Sequence, residues 1–254
     1  MSPLAYDIVG DVHGCADELR DLLGVLGYHL RKSSLTPPSG RQLIFVGDLV
    51  NRGPDTAGVL ELVMRAADAG HARAVMGNHD RKLLRALDGQ RVNASGPVAP
   101  SLRQLERRPA AFRAQVTEFL NDLPPRLELD GGRLLVVHAG DLPYAPDAER
   151  REYNVTGRKT GRRDALGLEE RHDWVTPYRE RALVVYGHTP VLEPQQRGRT
   201  LNLDTGCVYG GQLSALRYPE LELVGVPARR AYATGKRWRV LSASGQAKGA
   251  ESEQ

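Results

Sequence analysis

Cysteine is nearly absent: Cys15 and Cys207 are the only two in 254 residues. They are too few for a disulfide scaffold and too far apart for a CxxC pair, so the chain is expected to be reduced and cytoplasmic. Long apolar runs are missing too. No stretch reaches the roughly 18 residues of a membrane span, and no membrane contact is expected. Met1 to Asp7 hold neither a basic stretch nor an apolar core, so no secretory signal is expected there. No GxxxxGK[ST] loop occurs, which excludes a P-loop kinase in this chain. Internal repeats and long linkers are also lacking.

What is present is ordinary in bulk. Hydrophobic residues at 41% and charged residues at 26% match a soluble globular chain and exclude collagen, coiled coil and wholesale disorder. The length suits one sizeable domain or two small ones. Lysine and arginine exceed the acids by 35 to 31, and the resulting charge of +4 permits an anionic partner without identifying one.

Five short β-branched runs each stop at a polar cluster. Ala5 to Val9 runs into Gly10-Asp11-Val12-His13-Gly14, and Gln42 to Val46 into Gly47-Asp48-Leu49-Val50-Asn51-Arg52-Gly53. Arg73 to Met76 runs into Gly77-Asn78-His79-Asp80, Leu134 to Val137 into His138-Ala139-Gly140, and Leu183 to Tyr186 into Gly187-His188-Thr189. Length and β-branching predict strands. Leu19, Leu22, Leu23 and Leu26 keep helical spacing, as do Val59, Leu60, Val63 and Ala67. Strand and helix in alternation predict an α/β fold with βαβ crossovers, whose ligands gather at the carboxyl ends of strands.

Residues 81–125 read as a helical insert, with segments at Arg81 to Leu87, Ser101 to Arg107 and Ala110 to Leu123. Residues 141–180 are polar and arginine-rich and read as a surface excursion. Thr200 to Leu203, Gln212 to Arg217 and Leu221 to Val226 read as a set of antiparallel strands. The expected organisation is one domain over residues 1–241 and a disordered tail over 242–254.

The residues at the strand ends are Asp11, His13, Asp48, Asn78, His79, His138 and His188. Imidazoles, carboxylates and an amide oxygen suit first-row divalent ions such as Mn, Fe, Co, Ni or Zn, and the lack of a thiolate argues against a structural zinc site. Two such ions would polarise a phosphoryl group and supply hydroxide at neutral pH. The other histidines, His29, His71 and His172, read as ordinary surface or core residues.

These motifs resemble the signature of the calcineurin-like metallophosphoesterases over about residues 5–228, and Arg52 in the second motif points to the phosphoprotein-phosphatase branch. Within it, Val184 to Pro190 and Asn202 to Gly211 resemble bacterial diadenosine-tetraphosphatase-type proteins, and equally the phosphatase domain of bacterial polynucleotide kinase-phosphatases. The resemblance implies a sandwich of two sheets flanked by helices. It implies Asp11 and His13 on a first metal, Asp48 bridging, and Asn78, His138 and His188 on a second, with Mn the expected ion. Arg52 would clamp phosphate, a metal-bridging hydroxide would attack, and His79 would protonate the leaving oxygen. The implied activity is hydrolysis of phosphate esters or anhydrides of nucleotides. The alternatives are a protein Ser/Thr phosphatase and a binding module that has lost catalysis.

Asn51 departs from the pattern, because many relatives have Asp there to orient and charge the catalytic histidine. An amide stabilises an imidazolium less well, and Asp204 or Asp80 is expected to supply the charge. Arg158 and Arg162 are candidates for a second phosphate contact. Basic flanks, at Arg150, Arg151, Arg158, Lys159, Arg162 and Arg163 and at Arg229, Arg230, Lys236, Arg237 and Arg239, could hold nucleic-acid ends.

Overall fold

The computed structural model describes residues 5–31, 34–91, 93, 96–165 and 167–251. In chain order the first half comprises β1 (Ala5–Val9), α1 (Ala16–Val25), β2 (His29–Arg31), β3 (Ser34–Thr36), β4 (Arg41–Phe45), α2 (Thr56–Asp68), β5 (Ala72–Ala74), α3 (Asn78–Leu87), α4 (Val98–Glu106) and α5 (Ala110–Asp122). Then come β6 (Arg126–Leu129), β7 (Leu134–Val137), α6 (Asp147–Thr156), β8 (Lys159–Arg163), β9 (Glu169–Arg171), β10 (Leu183–Tyr186), β11 (Gln195–Arg197), β12 (Thr200–Asn202), β13 (Gln212–Tyr218), β14 (Glu222–Pro227) and α7 (Lys236–Glu251).

Two five-stranded sheets form the centre, in the orders β14-β13-β1-β4-β5 and β11-β12-β10-β7-β6. The period-2 alternation of side chains explains why the central strands are apolar throughout. In β1, Ile8 joins the cluster between the sheets while Val9 joins the cluster under the helices. In β7, Leu134 and Val136 face the first sheet, and Leu135 and Val137 face outward to a third cluster. Residues 81–125 carry most of α3 and all of α4 and α5. Their Leu83, Leu105, Val116 and Leu120 extend the cluster that α1 and α2 form on the first sheet.

Three expectations change. The last three strand segments are not one antiparallel set. β12 lies in the second sheet, parallel to β10, and of the three only β13 and β14 pair with each other, antiparallel in the first sheet. Hydrophobic alternation marks a strand but not its partner. The 141–180 segment is not wholly a surface excursion, because Tyr153, Asn154, Val155 and Trp174 are buried. The outer face of the second sheet needs a cover, and this segment supplies it. The expected tail from Ser242 continues α7 as far as Glu251. Alanine, glutamine, lysine and glutamate favour helix, and the helix begins upstream, where Trp238 stacks on Tyr209. The end of that tail, 252–254, and the first four residues lie outside the described residues. No helix among the described residues is long and apolar enough to cross a membrane.

Candidate active site

The carboxyl ends of β1, β4, β5, β7, β10 and β12 meet at one edge of the sandwich, and each delivers a predicted residue. The first two loops are tied together: the amides of His13 and Gly14 donate to the carbonyls of Asp48 and Leu49, both at 2.8 Å. Glycine lets the loops touch. A Cβ at Gly187 would overlap Asp11 Oδ1, and one at Gly77 would overlap the Asp48 amide.

Asp48 stands in the middle. Its Oδ2 lies 3.4 Å from His13 Nε2 and its Oδ1 lies 3.3 Å from His138 Nε2. On the first side, Asp11 Oδ2 is 4.0 Å from His13 Nε2. On the second, Asn78 Oδ1, His138 Nε2 and His188 Nδ1 form a triangle with sides of 3.1, 2.8 and 3.1 Å. Donors about 2.0–2.1 Å from one small ion stand at about such spacings. Carbonyls orient two of the rings. His13 Nδ1 donates to Val50 O and His138 Nδ1 to Val46 O, both at 2.9 Å, which turns each Nε2 lone pair inward. The donor types, tautomers and spacings fit divalent metal ions, with Asp11, Asp48 and His138 within 4.8 Å of one another.

Electrostatics point the same way. Burial, Asp204 and Asp48 push the Asp11 carboxyl well above its ordinary range. Burial raises Asp204 to about 6. Burial opposes ionisation of Asp48, but His138, His79 and His13 hold it well below the usual value. Burial and Arg52 lower His13 to about 3. Against burial, Asp48 pushes the His138 ring up, while burial disfavours a proton on His13 and His188. Buried carboxylates crowded in this way make a site that a cation stabilises.

His79 is buried, and its backbone amide donates to Asp48 Oδ1 at 2.8 Å. Burial lowers its ring to about 2. Asn51 Nδ2 lies 3.0 Å from the His79 carbonyl, which fixes that end of the amide as the donor, and 3.4 Å from His79 Nδ1. Neither Asp80 nor Asp204 hydrogen-bonds to His79. Asp80 accepts from the amides of Leu49 and Gly77 at 2.9 and 3.0 Å, and so pins the start of α3. Asp204 accepts from the Gly206 amide at 3.1 Å and presses on Asp11. The carboxylate whose charge favours a protonated His79 is Asp48.

Two guanidiniums close the ends. Arg52 Nη1 donates to His13 Nε2 at 2.6 Å, and its carbon sits 5.5 Å from the centroid of the Tyr209 ring. Arg171 Nη1 lies 2.5 Å from His188 Nε2. The sequence reading missed Arg171, one arginine among many in a polar segment. Its stated candidates meet acids: Arg158 pairs with Glu149 and Arg162 with Glu170. The basic flanks are largely matched by acids, with Lys159 on Glu169, Arg150 on Asp141, Arg229 on Asp17 and Asp21, and Arg237 on Asp164. Of the histidines set aside, His71 donates to the Leu35 carbonyl and His172 meets the Tyr153 hydroxyl.

Residues 6–224 match the calcineurin-like phosphoesterase family. The chain is 38% identical over 240 residues to the asymmetrical bis(5′-nucleosyl)-tetraphosphatase PrpE of Anoxybacillus flavithermus, covering 92% of this chain and 98% of that one. It is 39% identical over 238 residues to the protein of the same name from Bacillus subtilis, covering 90% and 97%. A solved structure of a proposed diadenosine tetraphosphatase aligns over 89% of this chain and 95% of its own, with a TM-score of 0.66 and 30% identity. Its motifs, its fold and its relatives agree: this chain belongs to the calcineurin-like phosphoesterase family of metal-dependent enzymes.

Proposed function

We propose that this enzyme hydrolyses the phosphoanhydride of dinucleoside polyphosphates at a centre holding two divalent ions, most suitably Mn. The observation that carries the reading is a complete donor set divided about Asp48, in a chain 38% identical to a bis(5′-nucleosyl)-tetraphosphatase over nearly its whole length. Asp11 and His13 would hold one ion, Asn78, His138 and His188 the other, and Asp48 both. When bound, such ions set positive charge against the phosphoryl oxygens and acidify water at the site.

The chain's own groups do the rest. Arg52, held against the Tyr209 ring, and Arg171 at the other end would each fork onto phosphoryl oxygens, where a guanidinium plane matches two acceptors at once. His79 would donate to the leaving oxygen. The Asn51 amide faces Nδ1 as a donor, which keeps the ring proton on Nε2. The Asn51 Oδ1 has no partner among the described residues. Asp204, beside Asp11, would hold the first side of the centre in place. A cytoplasmic setting suits the two buried free thiols. Nucleic-acid ends are a weaker reading, because the basic flanks already meet acids.

A substrate panel with added Mn tests this: diadenosine tetraphosphate, 2′,3′-cyclic AMP, 3′-phosphorylated DNA and a phosphopeptide. Diadenosine tetraphosphate is expected to turn over fastest. Turnover of the phosphopeptide alone overturns the reading in favour of a protein phosphatase.

A further inference from the structure

Beside the metal-ligand cluster lies a cavity of about 850 Å³, in the size range of pockets for small organic ligands. His188 and Arg171 belong both to its wall and to that of the smaller cavity over Asp48, Arg52 and His79. A ligand reacting at the cluster can therefore pass these two residues into the larger space.

The wall of the large cavity is mixed. Arg158, Arg171, Arg197 and Arg237 outnumber Asp173 and Glu193 in it. Arg171 is half-buried, forms no ion pair with a carboxylate among the described residues, and feels the like charge of Arg237 more than the opposite charge of Glu169. A guanidinium so placed calls for an anion. Pro190, Val191, Leu192 and Leu241 give the same wall an apolar part, and Leu192 is 39% exposed. Gln195 and Gln196 add hydrogen-bonding groups. An anionic throat-binding chain followed by a flat apolar body with polar edges describes a nucleoside carried on phosphates. A phosphopeptide brings a single phosphate, which the cluster itself would use, and leaves Arg171 without a further anion.

We propose that this cavity receives the nucleoside at the far end of the polyphosphate chain, with its phosphates lying along Arg171. The inference rests on the dinucleoside reading above. It makes the cavity a selectivity device, since a mononucleotide ester reacting at the cluster would leave it empty.

Leu192→Trp fills the apolar wall at an exposed position. Two probes bound calorimetrically to the metal-loaded enzyme test it: adenosine 5′-(α,β-methylene)diphosphate and methylenediphosphonate. The wild type is expected to favour the adenosine compound, and the ratio of the two affinities to fall at least tenfold in Leu192→Trp. The ratio of kcat/KM for diadenosine tetraphosphate to that for 4-nitrophenyl phosphate is expected to fall likewise. An unchanged ratio in either assay overturns the subsite, as does a greater loss on a phosphopeptide than on diadenosine tetraphosphate. The two claims fail separately. No wild-type turnover of diadenosine tetraphosphate defeats the functional reading, whereas turnover with unchanged ratios defeats the cavity alone.

Discussion

Left-handed backbone at a residue with a Cβ costs on the order of 1 kcal/mol, and His13, Asp48, Asn51, Arg52 and His188 all adopt it, with φ between 46° and 72°. Asp, Asn and His tolerate this region better than most residues, but Arg52 has no such excuse. Its conformation persists because the loop around it is cross-braced. The Gly53 amide donates to the Asn51 carbonyl at 2.9 Å and the Asn51 amide to Thr56 Oγ1 at 3.1 Å. Strain of this kind fixes side chains before a ligand arrives. His79 is the residue whose part is most open to test. His79→Ala is expected to keep its metal and lose about 10²–10⁴ in kcat on substrates with poor leaving groups. On 4-nitrophenyl phosphate the loss should be much smaller, since that leaving group needs no proton. Equal losses on both would count against His79 as the proton donor.

Among the elements, the helical insert shows how a segment remote from the chemistry is secured. Asp55 caps α2, accepting from the Gly58 amide at 2.8 Å. Thr56 Oγ1 meets Ser101 Oγ at 3.0 Å, and Arg108 donates to Glu61 Oε2 at 2.6 Å, so α2 holds the insert at two points. The Arg108 hydrogen bond lowers the Glu61 carboxyl below its ordinary 4.5, against a weaker opposing burial. A carboxyl lowered in the folded state stabilises above the unfolded pKa and loses that contribution as pH falls through the folded one. Wild type should therefore exceed Glu61→Gln in stability by about 0.2–1 kcal/mol at pH 7. The gap should close as pH falls through the folded carboxyl's range, below its ordinary 4.5, read as converging melting temperatures. A gap that persists in acid would place the effect of Glu61 in packing instead. The insert's helices were legible as segments free of strand-type alternation, the last one closed by Pro124-Pro125. The segment at 141–180 was not, because Tyr153 and Trp174 are isolated aromatics whose burial depends on a sheet face formed elsewhere.

For the whole molecule, the site is where two sheets and six strand ends bring mutually repelling carboxylates together. Asp11 is raised by both Asp204 and Asp48. Bound cations would relieve that repulsion and so stabilise the fold. At about a hundredfold excess over Kd, one bound ion adds about 2.7 kcal/mol. For a chain of this size that corresponds to a melting shift of about 5–10 °C. EDTA is expected to lower the melting temperature by that much and Mn to restore it. A melting temperature indifferent to EDTA would mean that the cluster holds no ion in solution. The sequence by itself determined the α/β class, the strand ends and the ligand residues, because metal chemistry admits few residue types and apolar runs terminate where chains turn. Only the tertiary structure decided that Asp48 faces both sides, that Asp80 serves the start of α3 and not His79, and that Arg171 is the second guanidinium at the centre. It also decided which sheet β12 joins. The physical reason is common to all of these. A carboxylate, an arginine or a strand takes its role from the neighbours that long-range packing brings to it, and spacing along the chain does not encode them.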